Sequence, residues 1–175
     1  MNLKQKKTNG WVATIAIAMA NYIEAGSIIA AASSLSLWQA YLNIDNVQIG
    51  LLSALSANAL GAAIGALIGG PITDKLGRKF IFKYDLLLYM LGMLVIILSF
   101  NFSMLLIGTI VVGIAVGIGV PVAWTYIAEE APEKERAKRV GTAQLAWSIG
   151  PTITFLLAVL VAPMGLLGSR LIFLH

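Results

Sequence analysis

Long stretches without charged side chains divide this sequence. Residues 8–44 contain a single charge, Glu24, and residues 46–73, 86–128 and 140–169 contain none. Charged residues make up 11% of the chain, against about 25% in an ordinary soluble domain, so they are too few to cover a surface that faces water. Because about 20 apolar residues of helix cross a bilayer, we predict an all-α, polytopic transmembrane helix bundle.

Five spans fit these stretches. The stretch 86–128 is long enough for two helices, and the polar break Asn-Phe-Ser at 101–103 lies near its middle. A signal peptide is excluded at the N-terminus, since the first apolar run is too long and would place Glu24 in the signal core. The predicted spans are about 11–40, 48–70, 82–100, 104–128 and 140–162, after an N-terminal tail at 1–10.

Lys and Arg fall almost entirely on one side of such a bundle. Eleven of the twelve lie in the tail or in two of the links between spans, whereas Arg170 follows the fifth span. Such residues mark the cytoplasmic side, so we predict a cytoplasmic N-terminus in the plasma (cytoplasmic) membrane. The asymmetry accounts for the net charge of +4 without a nucleic-acid partner. The eleven bases are Lys4, Lys6, Lys7, Lys75, Arg78, Lys79, Lys83, Lys134, Arg136, Lys138 and Arg139.

The residue types present exclude several kinds of chemistry. The chain has no Cys, and its one His is the last residue, His175. A disulfide or zinc–thiolate site and His-dependent hydrolysis are therefore excluded. We expect no enzyme activity, no catalytic residue, no cofactor and no metal site.

Glycine recurs every four residues in the second span and again in the fourth. Such stripes allow helix backbones to approach closely in lipid. They predict a packed bundle, and many packed bundles transport nothing. The stripes consist of Gly61, Gly65 and Gly69 in the second span and of Gly113 and Gly117 in the fourth.

The link between the second and third spans reads Gly-Pro-Ile-Thr-Asp-Lys-Leu-Gly-Arg-Lys, residues 70–79. We expect Asp74 to accept hydrogen bonds from backbone amides at a helix start, and Gly77 to adopt a positive φ. Arg78 and Lys79 are expected to meet the lipid headgroups. By its charges alone the link is a tight cytoplasmic turn.

Two segments resemble signatures of the major facilitator superfamily. The first, starting at Gly70, is similar to G-x-L-x-D-R/K-x-G-R-R/K and departs from it at Ile72; its position after the second span also matches. The second, at the end of the fourth span, is similar to Y-x-x-E-x-x-P-x-x-x-R of the sugar-porter branch and its metabolite-transporting relatives, with Ala137 in place of the usual Gly. The residues that match the second signature are Tyr126, Glu129, Pro132 and Arg136.

The resemblance implies a fold of twelve helices in two six-helix halves, with the substrate between the halves near the bilayer midplane. Residues 168–173 are similar to the G-W-R-x-x-F opening of the sixth helix, with Ser169 in place of Trp. We therefore expect residues 11–175 to be the N-terminal bundle of such a transporter, truncated at the start of the sixth helix (about 168–175). The resemblance thus implies that the C-terminal half of such a transporter is missing.

Glu24 is the one acid well inside a predicted span. It lies 13 residues after Trp11, about 20 Å along a helix, which is near mid-bilayer. The resemblance implies that Glu24 is the proton-coupling carboxylate; the alternative is a neutral side chain that is hydrogen-bonded within the bundle. Family members usually pair this carboxylate with an Arg early in the fourth helix, but that position is Thr109 here. Uniport therefore stays open beside proton symport.

Three side chains are candidates for substrate binding. The resemblance places Gln144 at a position that contacts sugar hydroxyls, and an amide both donates and accepts hydrogen bonds. Trp147 lies one helical turn away, where an aromatic face can stack on a sugar ring. Asn21, beside Tyr22, is a further candidate. The alternatives are an interhelical hydrogen bond for Gln144 and packing in the bundle or against lipid for Trp147.

The cytoplasmic charges also suit an ion-pair network. The resemblance implies that Asp74, Arg78, Glu129 and Arg136 form the latch of an inside gate. Asp85, at the cytoplasmic end of the third span, either joins this network or caps a helix.

The sequence thus favours secondary active transport of a sugar or similar small metabolite by alternating access, coupled to protons. The alternatives are a truncated membrane fragment that transports nothing and a transporter of organic or aromatic acids from the same superfamily. The expected partners are a small-molecule substrate, protons, the lipid bilayer and the missing C-terminal half.

Overall fold

The computed structural model describes residues 10–56 and 59–174, and most of these residues are helical, as predicted. Nearly all of the predicted tail, residues 1–9, lies outside the described residues, as does His175. The α-helices are α1 (Gly10–Leu42), α2 (Asn46–Ala54), α3 (Leu60–Leu76), α4 (Arg78–Ile97), α5 (Phe102–Glu130), α6 (Arg136–Val161) and α7 (Leu166–Ile172), with 3₁₀ turns at Glu133–Glu135 and Ala162–Met164.

Polar residues start two of these helices. Asp45 caps α2, because its Oδ1 accepts a hydrogen bond from the Gln48 amide at 2.7 Å and the Gln48 side chain accepts one from the Asp45 amide at 2.9 Å. Asn101 caps α5 by accepting a hydrogen bond from the Met104 amide at 2.8 Å. These side chains satisfy amides that have no partner within their helix.

The second predicted span, 48–70, is not one helix. The amide of Ser56 bonds to the carbonyl of Ser53, three residues back, and this tighter turn ends the α-helical pattern of α2. After residues 57–58, which lie outside the described part, α3 begins at Leu60 and continues to Leu76. Since α3 ends at Leu76, Asp74 lies in its last turn and not at the start of a helix. The predicted capping role of Asp74 is therefore wrong.

Helix packing uses the predicted glycine stripes. A Cβ added at Gly65 would meet the backbone of Ile114, and one at Gly117 would meet the backbone of Ala62. A Cβ at Gly61 would lie 3.0 Å from the Cα of Gly113. The close approach of the two stripes is therefore confirmed, and α3 and α5 touch along their backbones.

The outer surface of the bundle is apolar. Leu67, Phe100 and Leu160 are each more than 70% exposed, which is unfavourable in water and suits contact with lipid. Among the described residues, four helical segments are long and apolar enough to cross a membrane. They are Trp11–Leu42, Arg78–Ile97, Phe102–Glu130 and Glu133–Met164.

Candidate functional site

Glu24 points into the interior of the bundle. Its side chain is buried, and Oε2 has no hydrogen-bond partner among the described residues. The side chain lies against α5, where Oε1 is 3.3 Å from the place that a Cβ would take at Gly119. The structure thus leaves a carboxyl group inside a long apolar helix without a hydrogen bond to that oxygen, an arrangement that membrane proteins reserve mostly for functional groups.

Asp85 lies in the same interior space, which sequence reasoning missed. Since α4 already begins at Arg78, Asp85 is two turns inside the helix and not at the end that was predicted to be cytoplasmic. It is 4% exposed, and neither carboxyl oxygen has a hydrogen-bond partner in the described part of the chain. Both predicted roles of Asp85, capping and joining the cytoplasmic network, are therefore wrong. A signal existed, because Asp85 shares the helical period of the buried Ile81 and Tyr89.

Tyr89 connects α4 to α1 next to these carboxyl groups. It is buried one turn beyond Asp85, and its hydroxyl donates a hydrogen bond to the carbonyl of Ile23 at 3.3 Å. One turn beyond Glu24, Ser27 lines a cavity of about 240 Å³ that also reaches Thr109. This volume is large enough for several water molecules.

Thr109 does not lie at the level of Glu24 along α5. The residue that meets Glu24 is Gly119, ten residues later, which is about 15 Å along the helix. The Thr109 hydroxyl donates its hydrogen bond to the carbonyl of Leu105 at 2.8 Å. The structure therefore offers Glu24 no partner at the position where the resemblance placed a base.

The three predicted substrate-binding residues occupy different environments. Asn21 is fully buried, and its amide atoms have no hydrogen-bond partner within the described residues. Gln144 is exposed on α6, and Trp147 is half-buried against the main apolar cluster of the bundle. Helix α1 packs closely on α6 beside Asn21, since a Cβ at Gly150 would meet the carbonyl of Tyr22. Asn21 is thus closed off in this conformation, whereas Gln144 is accessible.

One ion pair of the predicted cytoplasmic network is present. Nε of Arg78 lies 2.5 Å from Oε1 of Glu129, and the same guanidinium donates to the Thr125 hydroxyl at 3.1 Å. Gly77 has a φ of 86°, as predicted, which allows α3 to end one residue before α4 begins.

Other residues of the link at 70–79 lie beside this ion pair. Gly70 and Asp74 line a cavity of about 100 Å³ that Arg78 also borders, and Lys79 is exposed. Within the residues that the structure describes, neither Asp74 nor Arg136 forms an ion pair.

A second ion pair, involving Arg139, was not predicted. The Arg139 side chain is 7% exposed and bonds to Glu135 Oε2 through Nε at 3.0 Å and Nη2 at 2.7 Å. Its guanidinium carbon lies 5.2 Å from the centre of the Trp11 ring, a geometry suited to a cation–π interaction. Arg139 thereby fixes the start of α6 to the start of α1.

Comparisons with known proteins agree with this fold. Residues 7–166 match the family described as sugar (and other) transporter. The chain is 51% identical over 162 residues to the minor myo-inositol transporter IolF of Bacillus subtilis, covering 93% of this chain and 37% of that protein. It is 37% identical over 102 residues to the arabinose-proton symporter of Escherichia coli, covering 58% of this chain and 22% of that protein.

A solved structure is also similar. The xylose transporter XylE from E. coli, in an inward-open conformation, superposes with a TM-score of 0.81 at 20% identity, covering 94% of this chain and 44% of that one. At this identity the likeness shows the fold. The chain spans less than half the length of these relatives.

Proposed function

Because the chain belongs to the sugar (and other) transporter family, we propose that it forms the N-terminal half of a proton-coupled transporter of a sugar or similar small metabolite. Its membership makes it a multi-pass membrane protein of a transporter family rather than an enzyme. The proposal adds proton coupling, alternating access, a C-terminal half beyond these residues, and a cytoplasmic N-terminus in the plasma membrane.

Similarity to the inositol transporter supports a polyol or sugar as the substrate, because it extends over 93% of this chain. Gln144 suits hydroxyl-rich ligands, since an exposed amide donates and accepts hydrogen bonds. The remaining contacts come from the C-terminal half, with the substrate between the two halves. Rocking of the halves then opens the site to each side of the membrane in turn.

The observation that carries proton coupling is the burial of Glu24 inside α1. A carboxylate at this depth is costly while it is charged, so its protonation can be tied to the step that moves the site between the two faces. Relatives named as arabinose-proton symporters support the same coupling.

Uptake by the complete transporter in proteoliposomes tests this function. A panel of sugars, polyols and organic acids is offered with and without a proton gradient, and we expect at least one sugar or polyol to accumulate when the gradient is present. Glu24→Gln should abolish accumulation and spare exchange of substrate across the membrane. Glu133→Gln, which removes one exposed charge, should change neither. Equal accumulation by Glu24→Gln and the unmodified protein would rule out the proton role of Glu24.

Labelling of single cysteines tests the orientation, and the absence of natural Cys makes each label unambiguous. In intact cells, Ser103→Cys should react with a membrane-impermeant maleimide, whereas Lys79→Cys and Glu133→Cys should react only after permeabilisation. All three positions are exposed. Reaction of Lys79→Cys and Glu133→Cys from opposite faces would contradict the proposed topology.

A further inference from the structure

Glu24 and Asp85 meet in a space that exists because residue 119 is glycine. Glu24 Oε1 and Asp85 Oδ2 both lie within 3.3 Å of the position that a Cβ would take at Gly119. The Asp85 oxygen is the closer of the two, so even the smallest side chain at this position would overlap it. Helices α1, α4 and α5 thus bring two carboxyl groups from distant parts of the sequence to one point.

Each carboxyl group has at least one oxygen that the described protein atoms leave without a hydrogen bond. Glu24 is 2% and Asp85 4% exposed. Glu24 Oε2 and both oxygens of Asp85 have no hydrogen-bond partner in the part of the chain that the structure describes. Buried polar atoms of folded proteins are normally paired, so these unpaired oxygens indicate a ligand that the protein atoms do not supply.

No base of the surrounding helices lies at this level. Helices α1 and α5 contain no Lys or Arg, and those of α6 are confined to its first turn. Arg139, the buried base of α6, lies over Trp11, 13 residues before Glu24 and so about 20 Å away along α1. On α4, Lys83 is exposed.

The other ionisable groups nearby are tyrosines. Tyr89 of α4 already donates its hydroxyl hydrogen bond to the carbonyl of Ile23. Tyr22 of α1 has its backbone against Gly150 of α6. Beyond its first turn α6 has no ionisable side chain, and α5 has none before Tyr126. Neither tyrosine supplies a positive charge to the carboxyl pair.

The ligand that fits two unpaired carboxyl groups without a cation is a proton. Two carboxylates this near to each other repel, whereas one proton gives the pair an O–H donor and halves its charge. The proton binds to one carboxylate oxygen and is shared with the other through a hydrogen bond. On release it passes to water, and no other reactant is needed. The cavity of about 240 Å³ that Ser27 lines, one turn from Glu24, has room for that water.

We propose that Asp85 is the second half of the proton site, so that Glu24 and Asp85 bind one proton together. This inference rests on the proposed function insofar as the proton is the transported one. It adds that Asp85 shares the proton that the proposed function assigns to Glu24 alone.

Infrared spectroscopy on the 175-residue chain in phosphatidylcholine vesicles tests the pair without any transport substrate. The carbonyl band of buried protonated carboxyl groups is followed against pH for the unmodified chain, Asp85→Asn, Glu24→Gln and the control Glu133→Gln. We expect Asp85→Asn to weaken proton binding by the remaining Glu24 at least about tenfold, which moves the pH midpoint of the band by about one unit. Glu133→Gln should leave the band unchanged.

A second variant tests the same pair in case Asp85→Asn does not fold. Gly119→Ala keeps both carboxyl groups but fills the space between them, so it should also move the midpoint of the band, with helix content checked by circular dichroism. If Asp85→Asn folds and leaves the midpoint of the Glu24 band unchanged, the shared site is overturned. If Asp85→Asn does not fold, an unchanged midpoint in Gly119→Ala overturns it.

Failure of this inference is distinguishable from failure of the proposed function. An unchanged band in Asp85→Asn, together with lost accumulation in Glu24→Gln, would reject the pair and retain proton coupling through Glu24 alone. A shifted band with normal accumulation in Glu24→Gln would leave a proton-binding pair and reject its role in transport.

Discussion

Arg78 and Glu129 are 51 residues apart in the sequence, yet Nε of the first lies 2.5 Å from Oε1 of the second. The pair joins the first residue of α4 to the end of α5 on the proposed cytoplasmic side. Their side chains are 30% and 58% exposed, so water screens the attraction. Exposed pairs of this kind contribute about 0–1 kcal/mol to stability.

The first prediction is therefore that removing this pair changes the rate of substrate uptake more than it changes the stability of the fold. Glu129→Gln should change the free energy of unfolding of the detergent-solubilised chain by less than about 1 kcal/mol, while altering the uptake rate of the complete transporter through the gate. Glu133→Gln is the control with the same chemical change at an exposed site that forms no ion pair with the described residues. A loss of stability of several kcal/mol, with unchanged uptake, would show that the pair is structural.

The second prediction concerns the contact between α3 and α5. Gly65→Ala places a Cβ against the backbone of Ile114, which cannot move as a flexible side chain can, and should cost about 1–3 kcal/mol. Gly141→Ala is the matched control, because Gly141 lies in α6 with nothing within 4 Å of the added Cβ. That change should stabilise by about 0.5–1 kcal/mol. Thermal unfolding followed by circular dichroism measures both, and equal effects would contradict the packing.

The third prediction compares how much Arg139 and Lys138, which both contact the Trp11 ring, contribute to stability. Arg139→Ala removes two hydrogen bonds to Glu135 and the contact with Trp11, and should cost about 2 kcal/mol because the side chain is buried. Lys138→Ala removes a contact at 5.5 Å from the same ring, but Lys138 is exposed, so its loss should cost at most about 1 kcal/mol. Chemical unfolding of the two variants measures both losses of unfolding free energy. A larger loss for Lys138→Ala would contradict the view that Arg139 makes the stronger contact with Trp11.

The fourth prediction concerns substrate binding by the complete transporter. Gln144→Ala should raise KM up to about tenfold, the equivalent of one hydrogen bond of about 1.4 kcal/mol, and leave the maximal rate unchanged, since the amide binds substrate in all states alike. Thr152→Ala, two turns further along α6 and also exposed, serves as the control. If stability falls in Gln144→Ala while KM stays constant, Gln144 has a packing role instead.

Local patterns predicted much of this protein. Uncharged stretches indicate membrane helices because lipid contact penalises every charge, whatever the tertiary packing. The positive φ of Gly77 was predictable for a similar reason, since glycine adopts this conformation in a tight turn without steric cost. The break between α2 and α3 was not predictable from hydropathy, because no charged residue marks it: the sequence is uncharged from Ser53 to Ala59 and on either side.

The position of Asp85 shows what these patterns leave open. Hydropathy placed it at a membrane boundary, since Lys79 and Lys83 precede it. Whether a side chain so close to a boundary faces water or the interior depends on where the helix starts and on its rotation. Both are set by packing against α5. The same applies to Arg139, which looked like one more cytoplasmic base and is buried against Trp11.

The sequence by itself determined that this chain is a membrane protein and which family it resembles, because hydrophobicity and short motifs act over a few neighbouring residues. Only the tertiary structure brought Glu24 and Asp85 to Gly119, since residues 61 and 34 positions apart meet only when α1, α4 and α5 pack together.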